Sequence, residues 1–209
     1  MGIPVLILGA SGSGKSTSLR NFKKGEICVL NVAGKPLPFR SNLDTVNNAS
    51  YENIGAALKQ HDFKAYAVDD SQYLLAFELF DRAKENGYGK FTDIAVRFRN
   101  MISYVTRSTP DDCIVYFLHH TDYDDAGKIK AKTVGKMLDS QLTVEGLFSI
   151  VLLADATGGT YRFITRNEGE SPAKSPLEMF DKEIDNDLRF VDTTIRAYYD
   201  LGGNNEKAK

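Results

Sequence analysis

The sequence predicts an α/β domain whose mainly parallel sheet is flanked by helices and carries an antiparallel hairpin towards its carboxyl end. Three observations predict it. Short apolar runs at 5–8, 27–32, 65–68, 114–118 and 150–153 alternate with stretches of helical periodicity, which is the pattern of successive βαβ units. The first run passes directly into a glycine-rich segment, Gly9 to Ser16, and then into a helix-compatible segment. The last run is followed by another at 161–165 across Asp155-Ala156-Thr157-Gly158-Gly159, whose glycines suit a tight reversal and so an antiparallel pair.

Taken in order, Ile3-Pro4-Val5-Leu6-Ile7-Leu8 is an apolar stretch of strand length, and 17–24 can be helical until Gly25 stops it. Residues 50–60 place Ile54, Ala57 and Leu58 on one helical face. Residues 71–86 carry Leu74, Leu75, Phe77 and Leu79 and end at Gly87. Residues 91–106 space Ile94, Phe98, Met101, Ile102 and Val105 at helical intervals, and 187–201 align Leu188, Val191, Ile195 and Tyr198 before Gly202-Gly203. These aromatic positions read as core. No linker or internal repeat divides the chain, so 1–202 is expected to form one domain, with 203–209 a disordered tail.

Gly9-Ala10-Ser11-Gly12-Ser13-Gly14-Lys15-Ser16 fits the phosphate-binding P-loop pattern GxxxxGK[ST] at every fixed position. Between a strand and a helix, such a loop wraps backbone N–H groups around an anion, and the helix presents its positive end to it. Ala10 to Thr17 are therefore expected to hold a nucleoside triphosphate. Lys15 would reach its β- and γ-phosphates, and the Ser16 hydroxyl would coordinate Mg²⁺. The bland alternative, a glycine-rich turn, leaves the register of strand, loop and helix unexplained.

Ala65-Tyr66-Ala67-Val68-Asp69-Asp70 is an apolar strand ending in acid, the Walker B pattern. A strand lying beside the loop strand would carry Asp69 to the Mg²⁺ region, acting through a water. Asp70 would orient or deprotonate the attacking water, or else serve as an N-cap or first-turn acid of the following helix. Ile114-Val115-Tyr116-Phe117-Leu118-His119-His120 ends a further strand in two histidines. Ligands bind beyond the carboxyl ends of such strands. Adjacent residues face opposite sides, so one of His119 and His120 is expected to meet the γ-phosphate or a water, the other being a hydrogen-bonded strand-end residue. No Cys or further His stands at zinc-ligand spacing.

In the excursion 121–132, with a turn at Ala126-Gly127, Lys128, Lys130 and Lys132 alternate and would share one face of a strand. They would either track a phosphate backbone or protect a solvated edge, and the acidic residues across the turn favour protection. Arg162, Arg166 and Lys174, on or after the last hairpin, are candidates for an arginine-finger role in their own or a neighbouring subunit; surface ion pairs explain them equally well.

A net charge of −2 gives no general electrostatic case for nucleic acid or membrane. No apolar run reaches membrane-spanning length, the first residues read as a strand rather than a leader, and Cys28 and Cys113 lie in apolar runs as buried thiols of a reducing compartment. A cytoplasmic location is expected.

The opening P-loop, the strand Ala65–Asp70, the strand ending in His, and the later run Arg166-Asn167 … Pro172-Ala173-Lys174-Ser175-Pro176 … Asn186-Asp187-Leu188 together resemble the small phage-type P-loop ATPases with a RecA-like core. The resemblance implies a RecA-like sheet, Asp69 as the Walker B acid, a strand-end His as phosphate sensor, and Arg166 or Lys174 near the γ-phosphate. It also implies an ATPase working with Mg²⁺ in phage DNA recombination or single-strand annealing, as a homo-oligomer meeting single-stranded DNA or a DNA-binding partner. One departure stands out: RecA-like ATPases carry a Glu at the end of the second strand, where this chain reads Val29-Leu30-Asn31-Val32-Ala33-Gly34. Hydrolysis would then rely on Asp70 or be slow. A small-molecule kinase and a non-hydrolysing nucleotide switch are the competing readings; no arginine-dense lid supports the former. The absence of an LSGGQ-like signature excludes an ABC ATPase, and the absence of an NKxD-type motif favours ATP over GTP.

Overall fold

In a computed structural model, described here for residues 1–135, 142–167 and 169–201, the apolar runs assemble into a sheet of nine strands: β1 (Ile3–Gly9), β2 (Cys28–Asn31), β3 (Asp44–Asn47), β4 (Ala65–Asp69), β5 (Ile114–Tyr123), β6 (Ile129–Ala131), β7 (Ile150–Asp155), β8 (Arg162–Ile164) and β9 (Glu183–Asp185). The order is β3-β2-β4-β5-β1-β7-β8-β9, with β6 paired to the outer part of β5. From β3 to β7 the pairs are parallel; β8 and β9 run antiparallel, so the hairpin expected at the carboxyl end is present. One expectation fails. The strand ending in Asp69 does not lie beside the loop strand, because β5 is inserted between them, bonded to β4 on one side and to β1 on the other. Val68 of β4 and Leu6 of β1 are both in register with Phe117, so the Asp69 end of β4 stops level with Ile7, short of Gly9, and still reaches the edge from which the β1 loop departs.

The parallel strands are buried on both faces, which is why they read as continuous apolar runs. Along β1, Leu6 and Leu8 join a core with Ile94, Phe98 and Ile102, while Val5 and Ile7 join a second with Leu188, Val191 and Ile195; the two-residue period of the strand feeds both. The first core lies under α1 (Tyr51–Gln60), α2 (Gln72–Asp81) and α3 (Gly89–Ser108), the second under α4 (Leu188–Tyr198). Local chemistry fixes the helix starts. Ser50 caps α1 in a reciprocal capping box with Asn53, and the Asp187 carboxylate accepts the N–H groups of Arg189 and Phe190 at the head of α4.

Other differences have local causes. Residues Ser16–Asn21 form a 3₁₀ helix rather than an α-helix through 24. Three consecutive hydroxyl residues stand there, and Ser18 Oγ bonds back to the Lys15 carbonyl at 2.5 Å, a competition that tightens or breaks α-helical turns. α2 stops at Asp81 instead of 86, since Phe80 is 77% exposed and little packing holds the last turn. β3 and β9 escaped the periodicity argument: each outermost strand holds a single apolar residue, Val46 or Ile184, between polar ones. Residues 202–209 fall outside the described residues, as does the expected tail they include.

Candidate nucleotide site

The loop after β1 is shaped by its glycines. A Cβ on Gly9 would sit 2.2 Å from Ser13 Oγ and 3.0 Å from the Ala154 carbonyl, and Gly14 has φ +93° with its would-be Cβ 2.6 Å from Tyr161 Cδ1, so neither position admits a side chain. The Lys15 ammonium turns inward and donates to the Gly9 and Ala10 carbonyls at 2.8 and 2.9 Å. Burial disfavours its charge and lowers its pKa to about 8, against the pull of Asp70 and Asp69.

Ser16 Oγ donates to Asp69 Oδ1 at 2.8 Å across 53 residues of sequence. Asp69 is buried at the end of β4, and burial raises its carboxyl to about 6 despite that hydrogen bond. Asp70 turns the chain at φ 59°, an uncommon conformation for a residue other than glycine. Its carboxylate is gripped by the Lys35 ammonium at 2.8 Å and by His120 Nε2 at 3.1 Å. Burial alone would raise the Asp70 pKa, but the hydrogen bonds from His120 and Lys35 outweigh it and bring it to about 2. The capping role considered for Asp70 is not adopted: α2 starts from Ser71 without a side-chain cap.

These groups share one cavity of about 280 Å³, lined by Ser11, Gly12, Gly14, Lys15, Ser16 and Thr17 of the loop and by Lys35, Asp69, Asp70, His120 and Tyr161 from other segments. Ala10 and Ser13, also expected to bind, line a neighbouring depression instead. Among the described residues no group of three or more His, Cys, Asp or Glu could hold a metal ion, so a divalent cation here would draw on Ser16, Asp69 and the oxygens of its ligand.

The chain matches no protein-family model, and no curated protein is significantly similar to it.

The two histidines part company. His120 faces the cavity. His119 is fully buried beneath α3, its ring tilted against Phe98 at 5.6 Å between centroids, so its expected site role is corrected to a structural one. Its Nε2 lies 2.7 Å from the Lys132 carbonyl and its Nδ1 2.9 Å from Ser71 Oγ. The carbonyl can only accept, so Nε2 carries the proton and Nδ1 receives the Ser71 hydroxyl; burial lowers the His119 pKa to about 4.

Arg166 and Lys174 are not brought to the cavity of their own chain. Arg166 donates to the Phe180 carbonyl at 2.9 Å beside the β8 hairpin, and Lys174 forms a backbone bridge to Val151 at 2.8 Å. Arg162 pairs with Asp155 and Glu183 at 2.9 and 3.4 Å. The excursion 121–132 is a hairpin with its turn at Gly127, but Asp122 stands directly opposite Lys130. That arrangement is an edge balanced in charge rather than a basic strip. Both cysteines are buried free thiols, raised by desolvation to about 11, and no helix of the described residues is long and apolar enough to cross a membrane.

Lys35 and Tyr161 line the cavity without a sequence argument behind them, and Asn186, quoted above only within the resembling run, packs beside the loop. Lys35 follows the carboxyl end of β2, the edge from which every other site residue comes, and that position was its available signal. Tyr161 reads as an ordinary strand aromatic. Asn186 lies 166 residues from Arg20, which donates to its side-chain oxygen at 3.2 Å. Its amide nitrogen is left buried beside Gly14 without a partner.

Proposed function

We propose that the chain is a Mg²⁺-dependent ATP-binding protein of the P-loop class with a RecA-like core, an ATPase acting as a cytoplasmic homo-oligomer in phage-type DNA recombination or single-strand handling. The observation that carries the nucleotide reading is the hydrogen bond between Ser16 and Asp69. It joins the last residue of the loop motif to the strand-end acid in a cavity of phosphate-tail size that also holds Lys15, Asp70 and His120. The donor set fits the ligand: the Lys15 ammonium donates to the Gly9 and Ala10 carbonyls and lines the cavity beside the Ser16 hydroxyl.

On this reading the loop N–H groups and Lys15 bind the phosphates, and Ser16 and Asp69 hold Mg²⁺, whose charge offsets that of the phosphate oxygens. Asp70 and His120 orient a water for attack on the terminal phosphorus, with the P–O bond to the ADP leaving group breaking as the new one forms. An Asp70 carboxyl at about 2 is a weak proton acceptor, so positioning is its contribution. The DNA assignment rests on the resemblance alone, and Arg166 and Lys174, both exposed, would serve as finger residues only towards a neighbouring subunit.

A second reading, a nucleotide-dependent assembly switch with little turnover, is favoured by one observation. Asn31 stands at the expected second-strand acid and its amide donates to the Lys35 carbonyl at 2.6 Å and accepts the Gly34 N–H at 2.9 Å, so β2 supplies the cavity with no carboxylate. Steady-state ATP hydrolysis with and without single-stranded DNA, beside Lys15→Ala, tests both. DNA-stimulated turnover abolished by the substitution supports the ATPase. Tight Mg²⁺–ATP binding without turnover supports the switch, and no nucleotide binding refutes both.

A further inference from the structure

Resting on that nucleotide reading, we infer that Lys35 is a phosphate-contacting residue: its ammonium leaves Asp70 and binds the terminal phosphate when a nucleoside triphosphate fills the cavity. The place and the mobility of the side chain carry this. Lys35 lines the same cavity as Lys15 and Ser16. Its side chain is 61% exposed, and the ammonium is held by one carboxylate at 2.8 Å and lies 5.2 Å over the Tyr73 ring. Only the Lys35 side of the pair is exposed, the Asp70 side chain being 13% exposed, so the ammonium can swing on its long stem to a more highly charged partner while the carboxylate stays where His120 holds it.

Its backbone, in contrast, is fixed. Asn31, at the carboxyl end of β2, donates to the Lys35 carbonyl at 2.6 Å and to Asn47 Oδ1 at 3.1 Å, and accepts the Gly34 N–H at 2.9 Å. Gly34 is at φ +65°, where a Cβ would come within 2.1 Å of Asn48 Oδ1, and Pro36 follows directly. A rigid turn thus presents a flexible cation, and the residue standing where the resembling family has an acid is the residue that clamps this turn.

Charge balance gives the exchange its direction. The cavity holds two lysines against Asp69 and Asp70, with Lys15 bonded to carbonyls and Lys35 to Asp70. A triphosphate adds several negative charges facing the same ammonium groups. A bond from Lys35 to the terminal phosphate satisfies that charge and releases the Asp70 carboxylate, still held by His120, to accept a hydrogen bond from water. Because the bond is to the terminal phosphate, the same movement would distinguish a triphosphate from a diphosphate.

The experiment measures Mg²⁺–ATP and Mg²⁺–ADP affinity by calorimetry for the wild type, Lys35→Met, Lys35→Arg and Asp70→Asn. A charge-assisted bond to phosphate predicts that Lys35→Met weakens ATP about tenfold or more while leaving ADP within about twofold. Lys35→Arg retains ATP affinity, and Asp70→Asn, which removes the competitor, does not weaken ATP. Equal losses for ATP and ADP in Lys35→Met, or the same loss of ATP in Asp70→Asn as in Lys35→Met, overturn the proposal and leave Lys35 a structural partner of Asp70. A wild type that binds neither nucleotide overturns the nucleotide reading itself, and the proposal with it.

Discussion

Replacing Lys15 with methionine should make the nucleotide-free protein more stable at neutral pH and less stable than wild type at pH 10. Lys15 is 5% exposed, and desolvation lowers its pKa from 10.5 to about 8. A drop of that size means that holding the charge in the folded state at pH 7 costs about 3 kcal/mol relative to the unfolded chain. Methionine has nearly the same length and no charge, but it leaves the Gly9 and Ala10 carbonyls without the ammonium that they now accept from, a loss of about 1–2 kcal/mol. The net expectation is a gain of about 1–2 kcal/mol at pH 7, or a melting temperature higher by roughly 2–8 °C for a domain of this size.

The sign follows from the direction of the shift. With the folded-state pKa below that of the unfolded chain, the penalty is complete below pH 8 and is relieved as pH rises towards 10.5. By pH 10 less than about 1 kcal/mol of it remains, so the ranking of the two proteins inverts. Urea unfolding of both at pH 7 and pH 10 in EDTA reads this directly, and the difference between them cancels groups that titrate in both. A methionine variant less stable by the same amount at both pH values would refute the claim that burial of a charge dominates at Lys15. A confirmed inversion would mean that the loop retains a destabilising charge in the free protein, as expected of a site built for an anion.

Three further outcomes are expected. His119→Ala should lower stability by about 2–4 kcal/mol by emptying a buried, doubly hydrogen-bonded position, whereas His120→Ala, which leaves Asp70 its Lys35 partner, should cost about 1–2 kcal/mol yet reduce turnover about tenfold or more; denaturation and ATPase assays on the pair separate the roles, and a larger stability loss for His120→Ala than for His119→Ala would contradict the burial difference. Asp192→Ala should destabilise by about 3–5 kcal/mol, seen as a lower urea midpoint, because it strips the acceptor from the buried Tyr116 hydroxyl at 2.9 Å and from Arg196 Nε at 2.6 Å; Tyr116→Phe should cost only about 1 kcal/mol. Cys28 and Cys113, with thiols raised to about 11, should resist a thiol reagent at pH 8 until denaturant is added, and rapid labelling of either in the native protein would contradict the placement of both in the core.

How far the sequence could be read depended on whether a residue's role is set by its neighbours in the chain or by distant ones. The β1 loop was legible because its glycines and Lys15 act within eight residues, and α3 because Ile94, Phe98, Met101, Ile102 and Val105 all face one core. Asp69 was legible as a strand-end acid, but the neighbour of its strand was not: β5 lies between β4 and β1, a choice made by sheet pairing over long separations. His119 and His120 show the same boundary within two residues. Alternation along a strand dictates opposite faces, yet only the packing of α3 over β5 says which face is the core and which the cavity.

Asn31 shows what a motif comparison omits. Read against a family pattern, it is a missing acid at the end of the second strand. In the fold it is buried to 2% exposure, and its side-chain oxygen and nitrogen are both occupied by the turn that follows. A glutamate there would be longer by a methylene and acceptor-only when ionised, so it could not donate to the Lys35 carbonyl. The acid and the clamped turn are therefore alternatives at one position, and a chain that takes the turn brings a cation to the cavity where the pattern would bring a base. Asn31→Glu should then not give a faster hydrolase; it should loosen 33–38 and weaken ATP binding as is expected of Lys35→Met, and a gain in turnover without loss of affinity would show that the two devices are independent.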